Sequence, residues 1–242
     1  MRKLLLMFVV GLSPIVAQAQ SYDDEIIVTG SRVDDSPGIF LEKRGDFLLL
    51  DVTIVNDSRE REMRIQEMMA TVDNFLEAAK GEPEIELSII DDNDFVRPMT
   101  RQNFRDNIYS GSRPDTSVVY IKVKTQIPDN VEDSYELANM LSNFVDSIEE
   151  EGRTSFDSDG ETAVSVVDPY QYRADVRDLI VEEINAVTTG LGGDYGAMIK
   201  GLDGEVKWAR SGDINLIFYM DYEYEIYPKS ISSITTIVLD DY

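Results

Sequence analysis

Cysteine and histidine are both absent from the 242 residues. Without thiols there are no disulfides, so the fold rests on core burial even in an oxidising compartment. A cysteine nucleophile and a thiolate-bound metal are excluded with them. Without imidazole the chain lacks the commonest general base and the commonest metal ligand together. Ser-His-Asp and Cys-His arrangements cannot be built. Basic charge is scarce as well: Lys and Arg number 22 against 47 Asp and Glu, a formal net charge of −25. A field of that sign repels nucleic acid and anionic lipid and favours cations or basic partners. Paired-carboxylate hydrolysis stays chemically open, but with 47 acids chance pairs are expected, and they identify no residue.

Long apolar runs are scarce too. Leu4–Val16 follows the basic Arg2 and Lys3 and precedes Ala17-Gln18-Ala19, the layout of a cleavable signal peptide over residues 1–19. The run is shorter than the roughly 20 residues a spanning helix needs. No cysteine follows the cleavage site to carry a lipid. The expectation is an exported, periplasmic protein with no transmembrane span in the mature chain. Outer-membrane association or secretion is compatible with the same layout. Removing Arg2 and Lys3 leaves 20 basic against 47 acidic residues, a net of −27.

Residues 20–242 read as one α+β domain, divisible into strand-helix sub-units 24–115 and 116–228 with a C-terminal strand in 229–242. Ile26, Ile27 and Val28 form a short opening strand, and Phe40-Leu41 starts another. Asp46–Val55 is β-rich, and Asn56, Asp57 and Ser58 offer helix-capping oxygens. Ile65, Met68, Val72, Phe75 and Ala79 then recur at helical spacing. Glu84–Ile90 alternates as a strand. Asp91–Pro114 is polar and reads as a long loop. Ser117–Gln126 is a strand with Val119, Ile121 and Val123 on one face and Lys122 and Lys124 on the other. A second helix follows from Val131 to Ile148. Thr162–Val167 is a strand, Asp168 a helix cap and Pro169 a first helical residue, leading to a third helix through Leu191. Two short strands fall within Gly196–Trp208. Asp213–Tyr227 reads as one long strand with Ile214, Leu216, Phe218, Met220, Tyr222, Tyr224 and Ile226 sharing a face. The segments Asp46–Ala79 and Ser117–Glu150 repeat one another, aligning Met68 with Leu141, Val72 with Val145 and Phe75 with Ile148. These patterns predict a mixed, largely antiparallel sheet with three amphipathic helices packed on it.

The order of elements resembles the SIMPL-domain family of bacterial exported proteins. The opening Ile26-x-Val28-x-Gly30, the strand and helix of Asp46–Ala79, the strand and helix of Ser117–Glu151, and Ala163–Pro169 leading into the longest helix carry the resemblance, over residues 24 to 228. The acidic third helix and the segment Asp91–Pro114 depart from the family pattern. The resemblance implies an envelope-associated α+β protein that self-assembles or binds a partner, with no catalytic residue to transfer. The segment Asp24–Arg32 also looks like the N-terminal stretch of TonB-dependent receptors, but this chain cannot supply their barrel.

Two acidic clusters offer hard oxygen ligands for Ca²⁺: Asp157, Asp159 and Glu161 around Gly160, and Asp91-Asp92-Asn93-Asp94. The spacing of a full calcium loop is missing. The glycines from Gly190 to Gly204 follow a helix, as a helix cap and hairpin would, and lack nucleotide-loop spacing. Tyr219 and Tyr227, with Asp221, Glu223 and Glu225, fall on the outward side of the long strand and suggest an interface. The expected function is non-enzymatic, through self-assembly as a homo-oligomer or binding to an envelope partner. The alternative is a periplasmic cation- or ligand-binding module using the acidic loops.

Overall fold

The computed structural model describes residues 25–29, 37–90, 96–158 and 160–231. Residues 1–24 (which include the expected signal peptide), Asp91–Asp94, Asp159 and nearly all of the expected C-terminal strand lie outside them. The fold is α+β, a curled and largely antiparallel sheet with four helices packed on it. Every strand pair among the described residues is antiparallel.

The centre is β3 (Phe47–Asn56) and β7 (Ser117–Gln126), which pair along their whole length. Their alternation decides the register. Leu50 meets Val123, Val52 meets Ile121 and Ile54 meets Val119, and all six are essentially fully buried. A slip by one residue would turn this set outward. Beside β7 lies β4 (Ile85–Ile90), and beside β3 lie β8 (Thr154–Asp157) and β9 (Thr162–Val167). The edge strand β1 (Glu25–Val28) pairs with β9. Thus β3 and β4 flank β7, and α1 (Arg61–Gly81) crosses between them. Likewise β7 and β9 flank β3, and α3 (Tyr135–Asp146) lies between them in the chain. This is a split β-α-β arrangement used twice, the structural form of the internal repeat.

Both helices bury their stripes on one sheet face. From α1 come Met68, Met69, Val72 and Phe75, and from α3 Leu141, Phe144 and Val145. The rings of Phe75 and Phe144 approach to 6.3 Å. Each fully buried large side chain contributes roughly 1.5–3 kcal/mol of transfer free energy. The same apolar cluster continues into the C-terminal part. There Val176, Ile180 and Ile184 of α4 (Arg173–Leu191) join Leu216 and Phe218 of β12 (Asn215–Tyr219). β12 sits between β2 (Leu41–Arg44) and β11 (Lys207–Arg210).

On the opposite face of the large sheet, Lys124 Nζ reaches Glu25 Oε2 at 2.8 Å and lies 4.1 Å from the Phe47 ring centre. Ser165 Oγ donates to Glu25 Oε1 at 2.6 Å.

Several expectations require correction. Asp91–Pro114 is not a plain loop: it holds β5 (Val96–Pro98), α2 (Arg101–Asp106) and β6 (Tyr109–Ser110), anchored by the buried Met99 and Phe104. The long strand over Asp213–Tyr227 is broken at Met220–Tyr222. Its first part, β12, and its second part, β13 (Glu223–Pro228), belong to different sheets, β13 pairing with β10 (Tyr195–Lys200). The break is where Gly201 packs against the backbone of Asp221 and Tyr222; a Cβ there would stand 2.5 Å from the Asp221 carbonyl oxygen. Tyr224, expected on the core face, is exposed.

Helix α1 starts at Arg61, not at the Asn56–Ser58 oxygens, and α3 starts at Tyr135 rather than Val131. Asp168 precedes the helix in a left-handed conformation, φ 50°, and makes no side-chain cap bond. A short 3₁₀ turn, Pro169–Tyr172, intervenes before α4. Among the described residues, no helix is long and apolar enough to cross a membrane.

Candidate functional site

Helix α2 is short, and its position is fixed at three points. Thr100 Oγ1 accepts from the Asn103 N–H at 3.2 Å, and Asn103 Oδ1 accepts from the Thr100 N–H at 2.7 Å, a reciprocal capping box. Asn103 Nδ2 also donates to the Pro98 carbonyl at 2.9 Å. Phe104, with no exposed surface, drives into the core. With Phe104 turned inward, Arg101 and Arg105 at i and i+4 stand together on the outer side.

They face α1 between Arg61 and Asp73. Arg61, Ile65 and Met69 lie along one stripe of that helix, with Glu62 and Gln66 beside them. The two helices enclose a groove of about 720 Å³ lined by these residues, Arg101, Gln102 and Arg105, a size in the range of ligand pockets. Its apolar wall is Ile65 and Met69, and its rim carries three guanidinium groups. Arg101 makes an exposed ion pair with Asp73 at 3.3 Å. Gln102 donates to both Asp106 carboxylate oxygens, at 3.0 and 2.8 Å. Arg61 and Arg105 have no side-chain partner among the described residues. In a chain with more than twice as many acids as bases, two unpaired arginines on one groove are the reverse of the general surface.

A polar hub sets the entry of α1 and therefore the place of Arg61. Asn56, at the end of β3, is fully buried. Its Nδ2 donates to Glu67 Oε2 at 2.8 Å and to Thr154 Oγ1 at 2.9 Å. Its Oδ1 accepts from the Ser58 N–H at 2.8 Å. Ser58 Oγ and the Arg153 N–H also donate to Glu67 Oε2, at 2.7 and 3.1 Å. The Asn56 hydrogen bond above all holds the Glu67 carboxyl below its usual value, against the opposing effect of desolvation. Buried Arg64 donates to Ser117 Oγ at 3.0 Å and to the Ser58 carbonyl at 2.8 Å. Gly152, φ +63°, passes so close that a Cβ would lie 2.3 Å from the Glu67 carboxyl carbon.

The metal candidates fall elsewhere. Asp157 ends β8 and Glu161 precedes β9; both are exposed, and Asp159 lies outside the described residues. Asp157 pairs with Thr53 and Thr162 with Leu50, so β8 and β9 run along the same edge of β3. At the end of β8, Asp51, Thr53, Ser155 and Asp157 line a hollow of about 320 Å³, and Asp51 is paired with Lys122 at 2.5 Å. Among the described residues no group of three or more His, Cys, Asp or Glu is placed to hold a metal ion. Tyr219 closes β12 opposite Lys207, whereas Tyr227 lies on β13 opposite Gly196, so the two do not share a strand. Tyr227's ring packs over Gly196, within 3.2 Å of where a Cβ would be.

The arginine groove is not among the sites the sequence patterns point to, although a signal for it exists. Arg59, Arg61, Arg64, Arg97, Arg101, Arg105 and Arg113 fall in two short stretches and make up seven of the 22 basic residues. Net charge conceals such local clustering. No family model, curated protein or solved structure matches the chain.

Proposed function

We propose that the protein is an exported, non-enzymatic binding protein of the bacterial envelope, of the SIMPL type, whose working surface is the groove between α1 and α2. Its partner presents an anionic group on an apolar body. The observation that carries this reading is the pair Arg61 and Arg105, which have no side-chain partner among the described residues and stand beside Ile65 and Met69. Guanidinium is the preferred donor for carboxylates, sulfonates and phosphates because its planar N–H fork matches their oxygens and stays charged at every working pH. The apolar wall adds burial that a simple anion would not use. The element order and the leader-like N-terminus support the envelope location.

The test uses anilinonaphthalene sulfonate, an anionic aromatic dye, titrated into the purified protein. Saturable fluorescence should appear, with affinity reduced at least about tenfold, the equivalent of 1.4 kcal/mol, in Arg61→Glu/Arg105→Glu. Circular dichroism of the variant should match the parent. A titration that the double reversal leaves unchanged overturns the reading.

A further inference from the structure

We infer that the groove between α1 and α2 takes the acidic C-terminal segment of a second copy of this chain, joining protomers head to tail. The inference rests on the groove reading above and names its occupant. Residues 232–242 lie outside the described residues, and their sequence runs Ile237-Val238-Leu239-Asp240-Asp241-Tyr242, with no Lys or Arg from Ile231 onward. An apolar run followed at once by two carboxylates is the complement of an apolar wall rimmed by arginines. Leu239 and its neighbours match Ile65 and Met69; Asp240 and Asp241 match Arg61, Arg101 and Arg105. A groove of about 720 Å³ accommodates a few residues of peptide, not a folded surface.

The described chain ends in a different part of the fold. Lys229 N–H donates to the Asp194 carbonyl at 2.6 Å, and Lys229 Nζ donates to the Gly193 carbonyl at 2.9 Å. These bonds tie the start of the segment to the turn that follows α4, while the groove is built on α1 and α2. A patch and a site on different elements make a heterologous contact, which extends by repetition instead of closing as a symmetric pair. The net charge of −25 opposes association at long range, so assembly should strengthen as salt screens that repulsion over about 8–10 Å.

The decisive experiment is a charge swap in the full chain, read by light scattering over a range of protein concentrations. The parent should show a weight-average mass that rises with concentration to at least twice the monomer. Arg61→Glu/Arg105→Glu should stay monomeric, and so should Asp240→Lys/Asp241→Lys. An equimolar mixture of the two variants should recover assembly, because each offers the other a complementary tail and groove. A parent that is monomeric throughout, or a tail-reversed variant that assembles like the parent, overturns the inference. If the dye still binds the groove in those cases, only the occupant is wrong. If the dye is indifferent to Arg61 and Arg105, the groove reading itself has failed.

Discussion

Lys124 and Glu25 form an ion pair across the large sheet, with side chains 3% and 0% exposed. They come from β7 and β1, which do not touch: β3 and β9 lie between them in the sheet. The lysine ammonium lies over the Phe47 ring of β3, and Ser165 of β9 donates to the carboxylate. One side-chain bridge thus spans four strands.

Removing one partner leaves the other charge buried. Lys124→Met is therefore expected to cost about 3–5 kcal/mol, measured by urea unfolding. The double change Lys124→Met/Glu25→Leu should recover most of that loss, because a well-packed apolar pair replaces a desolvated ionic one. A double variant as unstable as the single one would show that the bridge itself, and not the orphaned carboxylate, carries the cost.

The polar hub makes stability depend on acid. Glu67 is held below its usual 4.5 by the Asn56 hydrogen bond, and Asp57 below its usual 3.8 by the Arg153 hydrogen bond. A carboxyl with a lowered folded-state pKa contributes fully above the unfolded value and loses that contribution as pH falls through the folded one. The melting temperature should therefore fall below about pH 4.5. Glu67→Gln should melt lower than the parent at neutral pH, with the gap narrowing in acid. A gap constant across the range would assign the loss to packing alone.

The groove depends on the anchoring of α2. Phe104→Ala should cost about 3–5 kcal/mol as a large core truncation and abolish dye binding with it. Thr100→Ala removes only the cap and should cost about 1 kcal/mol, weakening binding in proportion to the fraying of α2. Binding that survives in Phe104→Ala would place the dye elsewhere.

Sequence patterning reached some elements and missed others for identifiable reasons. The bounds of β7 and β9 were legible because strict alternation and turn residues coincide there, and Val119, Ile121 and Val123 do face the core. The break after Tyr219 was not legible, because apolar alternation continues from Phe218 through Met220 to Tyr222 while the backbone changes sheets. What interrupts it is a long-range packing of Gly201, which leaves no local mark. Helix α2 spans six residues with one buried side chain, too few to show a helical period. Asn56 and Ser58 have the residue types of helix caps, but their polar atoms serve Glu67. Arg64 carries a legible signal: it sits in register with Met68 and Val72 on an otherwise apolar stripe, and a charge at such a place requires dedicated partners.

The position of β3 has a kinetic consequence. Its partners come from far along the chain: Leu50 waits for Val123, and Leu48 for Val164. A central strand whose two edges are completed by distant segments gives a high contact order, and such domains fold in about milliseconds to seconds instead of microseconds. A nascent chain that has emerged only as far as α1 holds a hydrophobic ribbon open on both sides. Commitment to the native state is deferred until Val164 and the rest of β9 are present.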